Sequence, residues 1–337
     1  MLTGTVNSAF WWYCEEDKGN EKENQSLSQV MRASLLFVPI FTLLGNCVSR
    51  RLRVMTFNIW QTGIRVSNGL QKVAKHIALV DPDIVALQEA KLGDSAPVLL
   101  SLLGHPWTVL TDEESRLDVA ILTKHTVMRG TVTKTSHAIG VRIDLGFGDV
   151  VSMWSVHLDH KAYGPHAANN RMVTSVDQIL AGEKLNNRAG RVQNIMEIFD
   201  DPQMKQWLNK SDEVPLILAG DFNTPSHIDW TEETIGKHGN WTVQWPVTKI
   251  VEAMGFIDSF RVVHPNVSEV PEWDFKIPEP QDRIDFIFYK GNMIAVDSFT
   301  YAGPEAIKPI PYHRENDYPS DHFAVVTEFE LEESEEQ

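Results

Sequence analysis

Residues 215–225 read Pro-Leu-Ile-Leu-Ala-Gly-Asp-Phe-Asn-Thr-Pro, an apolar run followed at once by turn-forming and polar residues. Four consecutive apolar residues at 216–219 are typical of a buried strand, and the Gly and Pro after them mark its end. Asp221 and Asn223 are two positions apart, so both side chains point to the same side of an extended segment. The stretch therefore predicts a buried sheet with a polar site where one of its strands ends.

Further apolar runs on both sides of this stretch predict the rest of the sheet. They occupy residues 53–60, 84–88, 118–122, 150–156, 284–288 and 323–331. Val66, Leu70, Val73 and Ile77 recur at three- and four-residue spacing, which predicts a helix packed on that sheet. Alternating strands and helices indicate an α/β fold, and no Pro- or Ser-rich linker divides residues 51–331, so we expect a single domain there.

Polar residues of one chemical kind stand at the ends of these predicted strands. They are Asn58, Glu89, His157, Asp221, Asn223, Asp285, Asp321 and His322. Phosphate-ester hydrolysis needs a hard cation, an oriented water and a proton donor, and this set supplies oxygen ligands and imidazoles. Oxygen ligands favour Mg²⁺ or Mn²⁺ over Zn²⁺. His157 and His160 are three apart, a spacing that would turn them to opposite faces of a strand, so we do not expect a zinc pair.

Composition excludes several other classes of protein. The chain has 337 residues and a formal charge of −16, from 30 basic and 46 acidic residues. Tight non-specific binding of nucleic acid requires a broad basic surface, so we expect no stable nucleic-acid complex. With two cysteines, Cys14 and Cys47, the chain can form neither a disulfide framework nor a cysteine zinc site.

The N-terminal residues predict an exported protein. Residues 31–50 have a basic start and an apolar stretch of about a dozen residues, which is typical of a signal peptide and too short for a stable membrane span. A signal anchor is the alternative. Residues 1–30 are expected to be a disordered extension, and residues 332–337 an acidic tail.

Six motifs occur along the chain in one order. They are Thr56-Phe57-Asn58-Ile59-Trp60, Leu87-Gln88-Glu89, Ser155-Val156-His157-Leu158, Gly220-Asp221-Phe222-Asn223, Arg283-Ile284-Asp285-Phe286-Ile287 and Ser320-Asp321-His322. In this order they resemble the endonuclease/exonuclease/phosphatase (DNase I-like) superfamily. The resemblance implies a four-layer α/β/β/α sandwich of two packed mixed β-sheets flanked by helices, with the site at one end of the sheets.

The resemblance also implies roles for the site residues. Glu89 would be the principal ligand of a Mg²⁺ or Mn²⁺ ion, with Asn58 and Asp321 near the same ion. Asp221 and Asn223 would orient water and phosphate, His157 would bind a phosphate oxygen, and Asp285 with His322 would form a carboxylate–imidazole dyad. The general base is left open between Asp221 and His322.

The substrate is less well determined by the sequence. We expect a monomeric, secreted phosphoesterase acting on phosphodiesters, with nucleic acid or nucleotide esters favoured, or on phosphomonoesters. Arg171, Arg261 and Arg283 are candidate substrate contacts. A neutral sphingomyelinase-like phospholipase C, with an apolar membrane hairpin within residues 139–150, is one alternative. A secreted binding protein without turnover is the other.

Overall fold

The computed structural model describes residues 50–91, 93–112, 117–184, 190–268 and 282–331. Contacts divide the chain into two units, Met1–Cys47 and Val48–Gln337, and all of the described residues belong to the second. The predicted N-terminal extension, nearly all of the predicted signal peptide and the acidic tail lie outside the described residues. Among the residues that are described, no helix is both long and apolar enough to cross a bilayer.

Two mixed β-sheets form the centre of the fold. The strands are β1 (Arg50–Asn58), β2 (Ile84–Gln88), β3 (Thr108–Thr111), β4 (Val119–Thr123), β5 (Thr126–Val127), β6 (Thr133–Lys134), β7 (Ala138–Gly146), β8 (Asp149–His157), β9 (Leu216–Asp221), β10 (Ile257–Asp258), β11 (Asp285–Lys290), β12 (Met293–Tyr301) and β13 (Ala324–Leu331). One sheet has the order β12-β13-β1-β2-β4-β3 and the other β10-β11-β9-β8-β7-β5, with β6 paired to β7. β1 is parallel to β2 and β8 is parallel to β9, whereas the other pairs are antiparallel.

Helices flank the two sheets. They are α1 (Gly69–Val80), α2 (Ala96–Leu103), α3 (Gly164–Asn169), α4 (Val176–Ile179), α5 (Arg191–Asp200), α6 (Pro202–Leu208), α7 (Pro246–Ala253) and α8 (Ser259–Val263). α1 and α2 pack on the first sheet, and α5, α6 and α7 pack on the second. The predicted four-layer sandwich of two packed mixed sheets flanked by helices is confirmed.

Side chains alternate along each strand between the two faces of its sheet. In β1, Val54 lies in the core between the sheets, whereas Met55 and Phe57 pack beneath α1. A strand covered on both faces reads as an almost continuous apolar run, which is why these strands are visible in the sequence. The prediction for the first strand extended to residue 60, but β1 ends at Asn58 because the backbone turns left-handed from Trp60 onward.

A buried polar contact joins the two sheets beneath the site. Gln88 at the end of β2 accepts a hydrogen bond from Thr56 Oγ1 at 3.1 Å and lies 3.3 Å from Ser155 Oγ on β8. Ser155 in turn donates to the carbonyl oxygen of Leu87. All three side chains are fully buried, and each has a partner, so the contact fixes the ends of β2 and β8 relative to each other.

Candidate active site

Strand register brings three of the predicted site residues into one row. His157 ends β8 opposite Asp221, which ends the parallel strand β9. Asp285 begins β11 and faces Asp221 from the other side, because β11 is antiparallel to β9. Residues that are 64 positions apart along the chain, 157 and 221, thus become neighbours through backbone pairing alone.

The first sheet contributes the remaining groups at the same end of the sandwich. Asn58 ends β1, and its Nδ2 donates to Asp221 Oδ2 at 3.0 Å. Ser320 Oγ donates to the carbonyl oxygen of Asn58 at 2.6 Å and accepts from the His322 backbone N–H. This turn fixes Asp321 and His322 to the end of β1.

Asp221 is the centre of the hydrogen-bonding network. It is 1% exposed, and its Oδ1 accepts from the backbone N–H of Asn223 at 2.8 Å. Asn223 has a left-handed backbone, φ 51°, and its Nδ2 donates to the carbonyl oxygen of Leu158. Gly220 lies so close to β8 that a Cβ there would collide with the carbonyl oxygen of Val156, so the approach of the two strands requires glycine.

Two acid–imidazole pairs lie on either side of Asp221. His322 Nδ1 is 2.8 Å from Asp285 Oδ2, and His157 Nδ1 is 3.1 Å from Asp118 Oδ1. The Nε2 atoms of both imidazoles point to Asp221 Oδ2, at 3.7 Å from His157 and 3.8 Å from His322. A carboxylate on Nδ1 fixes the tautomer and leaves Nε2–H directed into the site.

The pKa values of this group follow from burial and from these pairs. Burial by itself lowers the pKa of His157, but the hydrogen bond to Asp118 and the charge of Asp221 raise it to about 9. The pKa of His322 is also lowered by burial, yet Asp285 and Asp221 raise it well above its ordinary value. Both shifts favour the positively charged form of the imidazole beside Asp221.

Glu89 and Asp321 complete the acidic side of the site. Glu89 follows β2 with a left-handed backbone, φ 54°, and its Oε2 accepts from the backbone N–H of Gln61 at 2.6 Å. The pKa of Asp321 is raised by burial, although the His322 charge lowers it. Asn58 uses Nδ2 on Asp221 and Oδ1 on the Trp60 N–H, so both ends of its amide are engaged within the protein.

The donor set fits a hard divalent cation. Ligand atoms of Asp221, Asp285 and His322 all lie within 4.8 Å of one another, and Asp285 Oδ1 is buried without a hydrogen-bond partner among the described residues. The other oxygen of Asp285 pairs with His322, so only Oδ1 is left to meet a further donor or a cation. The sequence predicts the ion at Glu89, Asn58 and Asp321, and this stays a prediction; the cluster of Asp221, Asp285 and His322 is a second place among the described residues where donor atoms converge.

A cleft of about 660 Å³ opens over these groups. Its lining includes Glu89, His157, Asp221, Asn223 and His322 from the predicted set. His160 also lines it, because it lies beyond the end of β8, so the expectation that His157 and His160 face opposite sides is wrong. The remaining lining residues, which sequence reasoning did not select, are Gln61, Thr62, Ile64, Lys91, Ser95 and Asp118.

Asp118 is a site residue that the sequence analysis does not select. The sequence predicts a strand over residues 118–122, but β4 begins at Val119, and the acidic residue directly before an apolar strand is the signal that indicates a site position. Its partner His157 lies on the other sheet, so the pairing depends on how the sheets pack.

A buried arginine holds the loop that follows His157. The Arg191 guanidinium donates to the carbonyl oxygens of Asp159, Lys161 and Ala162, and Nε donates to Glu183 at 2.7 Å. Both charged side chains are fully buried. The four contacts fix the loop that carries His160 into the cleft.

The three arginines proposed as substrate contacts are not brought into the cleft lining. Arg261 pairs with Asp229, and Arg283 pairs with Asp229 and Asp258 at 2.9 and 2.7 Å. The Arg283 guanidinium also lies over the Phe286 ring, 4.6 Å from its centroid. Arg171 is exposed after α3. In this structure Arg261 and Arg283 thus take part in a buried ion-pair network.

Comparison with known proteins gives one family and a shared fold. The model of the Endonuclease/Exonuclease/phosphatase family matches residues 55–322. An uncharacterised protein of Caenorhabditis elegans is 47% identical over 318 residues, covering 89% of this chain and 99% of that protein. An AP endonuclease from Archaeoglobus fulgidus superposes with a TM-score of 0.52 at 18% identity, covering 82% of this chain and 98% of that one. A truncated Caenorhabditis elegans TDP2 gives 0.50 at 17% identity, covering 83% and 98%.

Proposed function

Because the chain belongs to the endonuclease/exonuclease/phosphatase family, we propose that it is a divalent-metal-dependent hydrolase that cleaves phosphate esters by in-line attack of water. The observation that carries this proposal is the arrangement around Asp221, where one buried carboxylate lies between two imidazoles whose Nε2 atoms are 3.7 and 3.8 Å from it. Such a group can orient a water molecule and stabilise the added charge of a five-coordinate phosphate in the same place.

The residues divide the chemistry among them. His157 and His322 direct Nε2 into the site, so they would neutralise phosphoryl oxygens, and one of them would supply a proton to the leaving group. Because the raised pKa of both imidazoles favours action as acids, we propose Asp221, which Asn58 and the Asn223 N–H hold in place, as the group that activates water. Glu89 and Asp321 would hold a Mg²⁺ or Mn²⁺ ion beside Asp221. That ion would supply Lewis acidity to the phosphoryl oxygen.

Nucleic acid or nucleotide esters are the proposed substrates. A cleft of about 660 Å³ accommodates a group the size of a nucleotide. One structure with the same fold is an AP endonuclease, which supports this substrate class by analogy of fold. The acidic chain argues for transient rather than stable association with nucleic acid.

The sphingomyelinase-like alternative called for an apolar hairpin within residues 139–150. That segment includes the turn between β7 and β8, which lies at the N-terminal end of β8, whereas His157 lies at its C-terminal end. Eight residue steps of extended strand separate Asp149 from His157, about 26 Å. This hairpin therefore cannot hold the cleft against a membrane.

Export from the cytoplasm and a monomeric state remain part of the proposal. Export rests on the sequence of residues 31–50. It is tested by expressing the full chain in cells and determining the mature N-terminus of the protein recovered from the medium.

Hydrolysis of two soluble esters tests the chemistry. We would measure release of p-nitrophenol from bis-p-nitrophenyl phosphate and from p-nitrophenyl phosphate with Mg²⁺, Mn²⁺ or EDTA. We expect metal-dependent turnover that falls by about 10²–10⁴ in Asp221→Asn. Asp297→Asn, an exposed acidic change on β12, is the matched control. Equal turnover in EDTA would contradict metal dependence, and no turnover with any metal would favour the non-catalytic binding protein.

A further inference from the structure

Two loops beside the cleft are joined to each other. Residues 59–68 follow β1, and residues 302–316 precede the Ser320 turn. The Trp60 ring lies 5.1 Å from the His313 ring, and Ser67 donates its backbone N–H to the carbonyl oxygen of Arg314 at 2.8 Å. The loops therefore form one continuous surface.

The first loop is held in an unusual backbone conformation. Trp60, Gln61, Thr62 and Gly63 all have positive φ values, between 47° and 74°. Such a run is unfavourable for non-glycine residues and persists only where surrounding contacts require it. Here the N–H groups of Gln61 and Thr62 donate to Glu89. The turn brings Ile64 to the mouth of the cleft, where it is 69% exposed.

The second loop adds exposed apolar side chains next to the same cleft. Ile310 is 65% exposed and Tyr312 is 70% exposed. Ile310 shares a small side pocket with Trp60 and with Asp321 of the site. We use the term rim for Ile64, Arg65, Lys308, Ile310, Tyr312 and Arg314.

The rim is also basic on a chain that is strongly acidic. Arg65, Lys308 and Arg314 are exposed, and none of them has a carboxylate partner within the described ranges. Glu305 and Glu315 are exposed acids of the same loop, and Glu315 accepts a hydrogen bond from Ser67 Oγ, so three cations against two acids leave this surface with a small net positive charge. Because the chain has a net charge of −16, most of its surface would repel an anionic partner. The three cations therefore favour approach of such a partner through the rim.

We propose that the rim docks the protein on an anionic phospholipid surface. Branched aliphatic side chains enter the apolar layer, a tyrosine lies at the level of the headgroups, and arginine and lysine bind anionic headgroups. Single-stranded nucleic acid fits less well, because stacking of successive bases needs several free ring faces, and of the rim residues only Tyr312 offers an exposed ring while the Trp60 ring already lies against His313. Isoleucine offers no ring at all.

Docking and hydrolysis can be tested separately. Vesicle binding requires no turnover, and hydrolysis of a soluble ester requires no vesicle. Failure of the docking proposal would therefore leave the proposed phosphoesterase function in place.

Cosedimentation of the full chain with vesicles, in EDTA, tests the rim. We expect binding to phosphatidylcholine vesicles that contain phosphatidylserine, and a partition coefficient about tenfold lower in the double variant Ile310→Ser, Tyr312→Ser. Lys308→Gln should lower binding about fivefold on anionic vesicles and leave binding to pure phosphatidylcholine unchanged. Phe147→Ser is the matched apolar control, since Phe147 is fully exposed on the β7–β8 hairpin at the far end of the sandwich. Unchanged thermal midpoints establish that the variants are folded.

A second measurement locates the contact independently of the rest of the chain. In a background with Cys14→Ser and Cys47→Ser, an environment-sensitive fluorophore would be attached through Ile310→Cys or Phe147→Cys. We expect a blue shift with anionic vesicles at position 310 and none at position 147.

Three results would overturn the proposal. They are equal vesicle binding by wild type and the rim double variant, equal loss in Phe147→Ser, and a blue shift at both labelled positions. Binding of a single-stranded oligonucleotide that depends on Tyr312 and Lys308, without vesicle binding, would instead assign the rim to nucleic acid.

Discussion

Replacing Asp118 by Asn should lower the pKa of His157. The carboxylate accepts from His157 Nδ1 at 3.1 Å, and together with Asp221 it raises the imidazole pKa to about 9, against the effect of burial. Loss of one close opposite charge lowers such a pKa by about 1–3 units, so we expect a value near 7 in the variant. Asn preserves the shape of the side chain and a hydrogen-bonding oxygen.

The change should be largest in weakly alkaline solution. At about pH 8.5, about three quarters of His157 is protonated with a pKa of 9, but about 3% with a pKa of 7, a difference of about 25-fold. Near pH 6 both forms are almost fully protonated. The rate of phosphate-ester hydrolysis by the variant should therefore fall toward alkaline pH and approach that of wild type in weak acid.

NMR titration of the His157 ring in EDTA measures the pKa directly. The free energy of unfolding gives a second measurement. Because the pKa of His157 is higher in the folded than in the unfolded chain, its protonation stabilises the fold by about 3 kcal/mol below pH 6.5, and this contribution is lost as the pH rises through 9. Urea unfolding of Asp118→Asn should show a smaller loss over the same range. If the titration midpoint of His157 is the same in Asp118→Asn and in wild type, Asp118 does not set the charge of His157, and the reasoning fails.

Three further changes test the metal, the ion pairs and a buried acid. Glu89→Gln should weaken Mn²⁺ binding by about tenfold or more in calorimetry while leaving the unfolding midpoint nearly unchanged; unaltered affinity would remove Glu89 from the ligand set. Arg283→Met should lower the free energy of unfolding by about 3–5 kcal/mol, because buried Asp258 then loses its ion pair and Asp229 is left with Arg261 alone of its two arginines, and kcat per folded molecule should hold. A specific rise in KM would instead restore the predicted role in substrate binding. Burial raises the pKa of Asp282 to about 7, so stability should fall by up to about 4 kcal/mol between pH 4 and 7, and Asp282→Asn should flatten this dependence in urea titrations.

The parts of the fold that the sequence predicts are those determined by local pattern. β2 and β9 are covered on both faces, so each reads as an apolar run, and the polar residue that follows marks the end of the sheet. β12 was not predicted, because it is an edge strand whose exposed Ile294 and Val296 break the alternation expected of a half-buried strand. This segment forms a strand because it pairs with β13.

The parts of the site that were missed depend on contacts between distant segments. Asp118 and His157 are on different sheets, and Arg283 meets Asp229 across 54 residues, so neither partner is encoded near the other. A charged residue beside a motif can either bind substrate or form a structural ion pair. Its burial in the folded protein distinguishes the two roles. Arg283 lies under Asp229 and Asp258, where its charge is already neutralised.

The same reasoning separates catalytic from docking residues at the open end of the sandwich. Asp221, at the centre of the proposed reaction, is 1% exposed, with hydrogen-bond partners on both carboxylate oxygens. The residues that would contact a lipid surface are exposed instead. Ile310 and Tyr312 project into solvent from a loop that is anchored through Trp60 and His313. A rigid loop loses little conformational entropy on docking, so even a small apolar area at the cleft mouth can contribute measurably to binding.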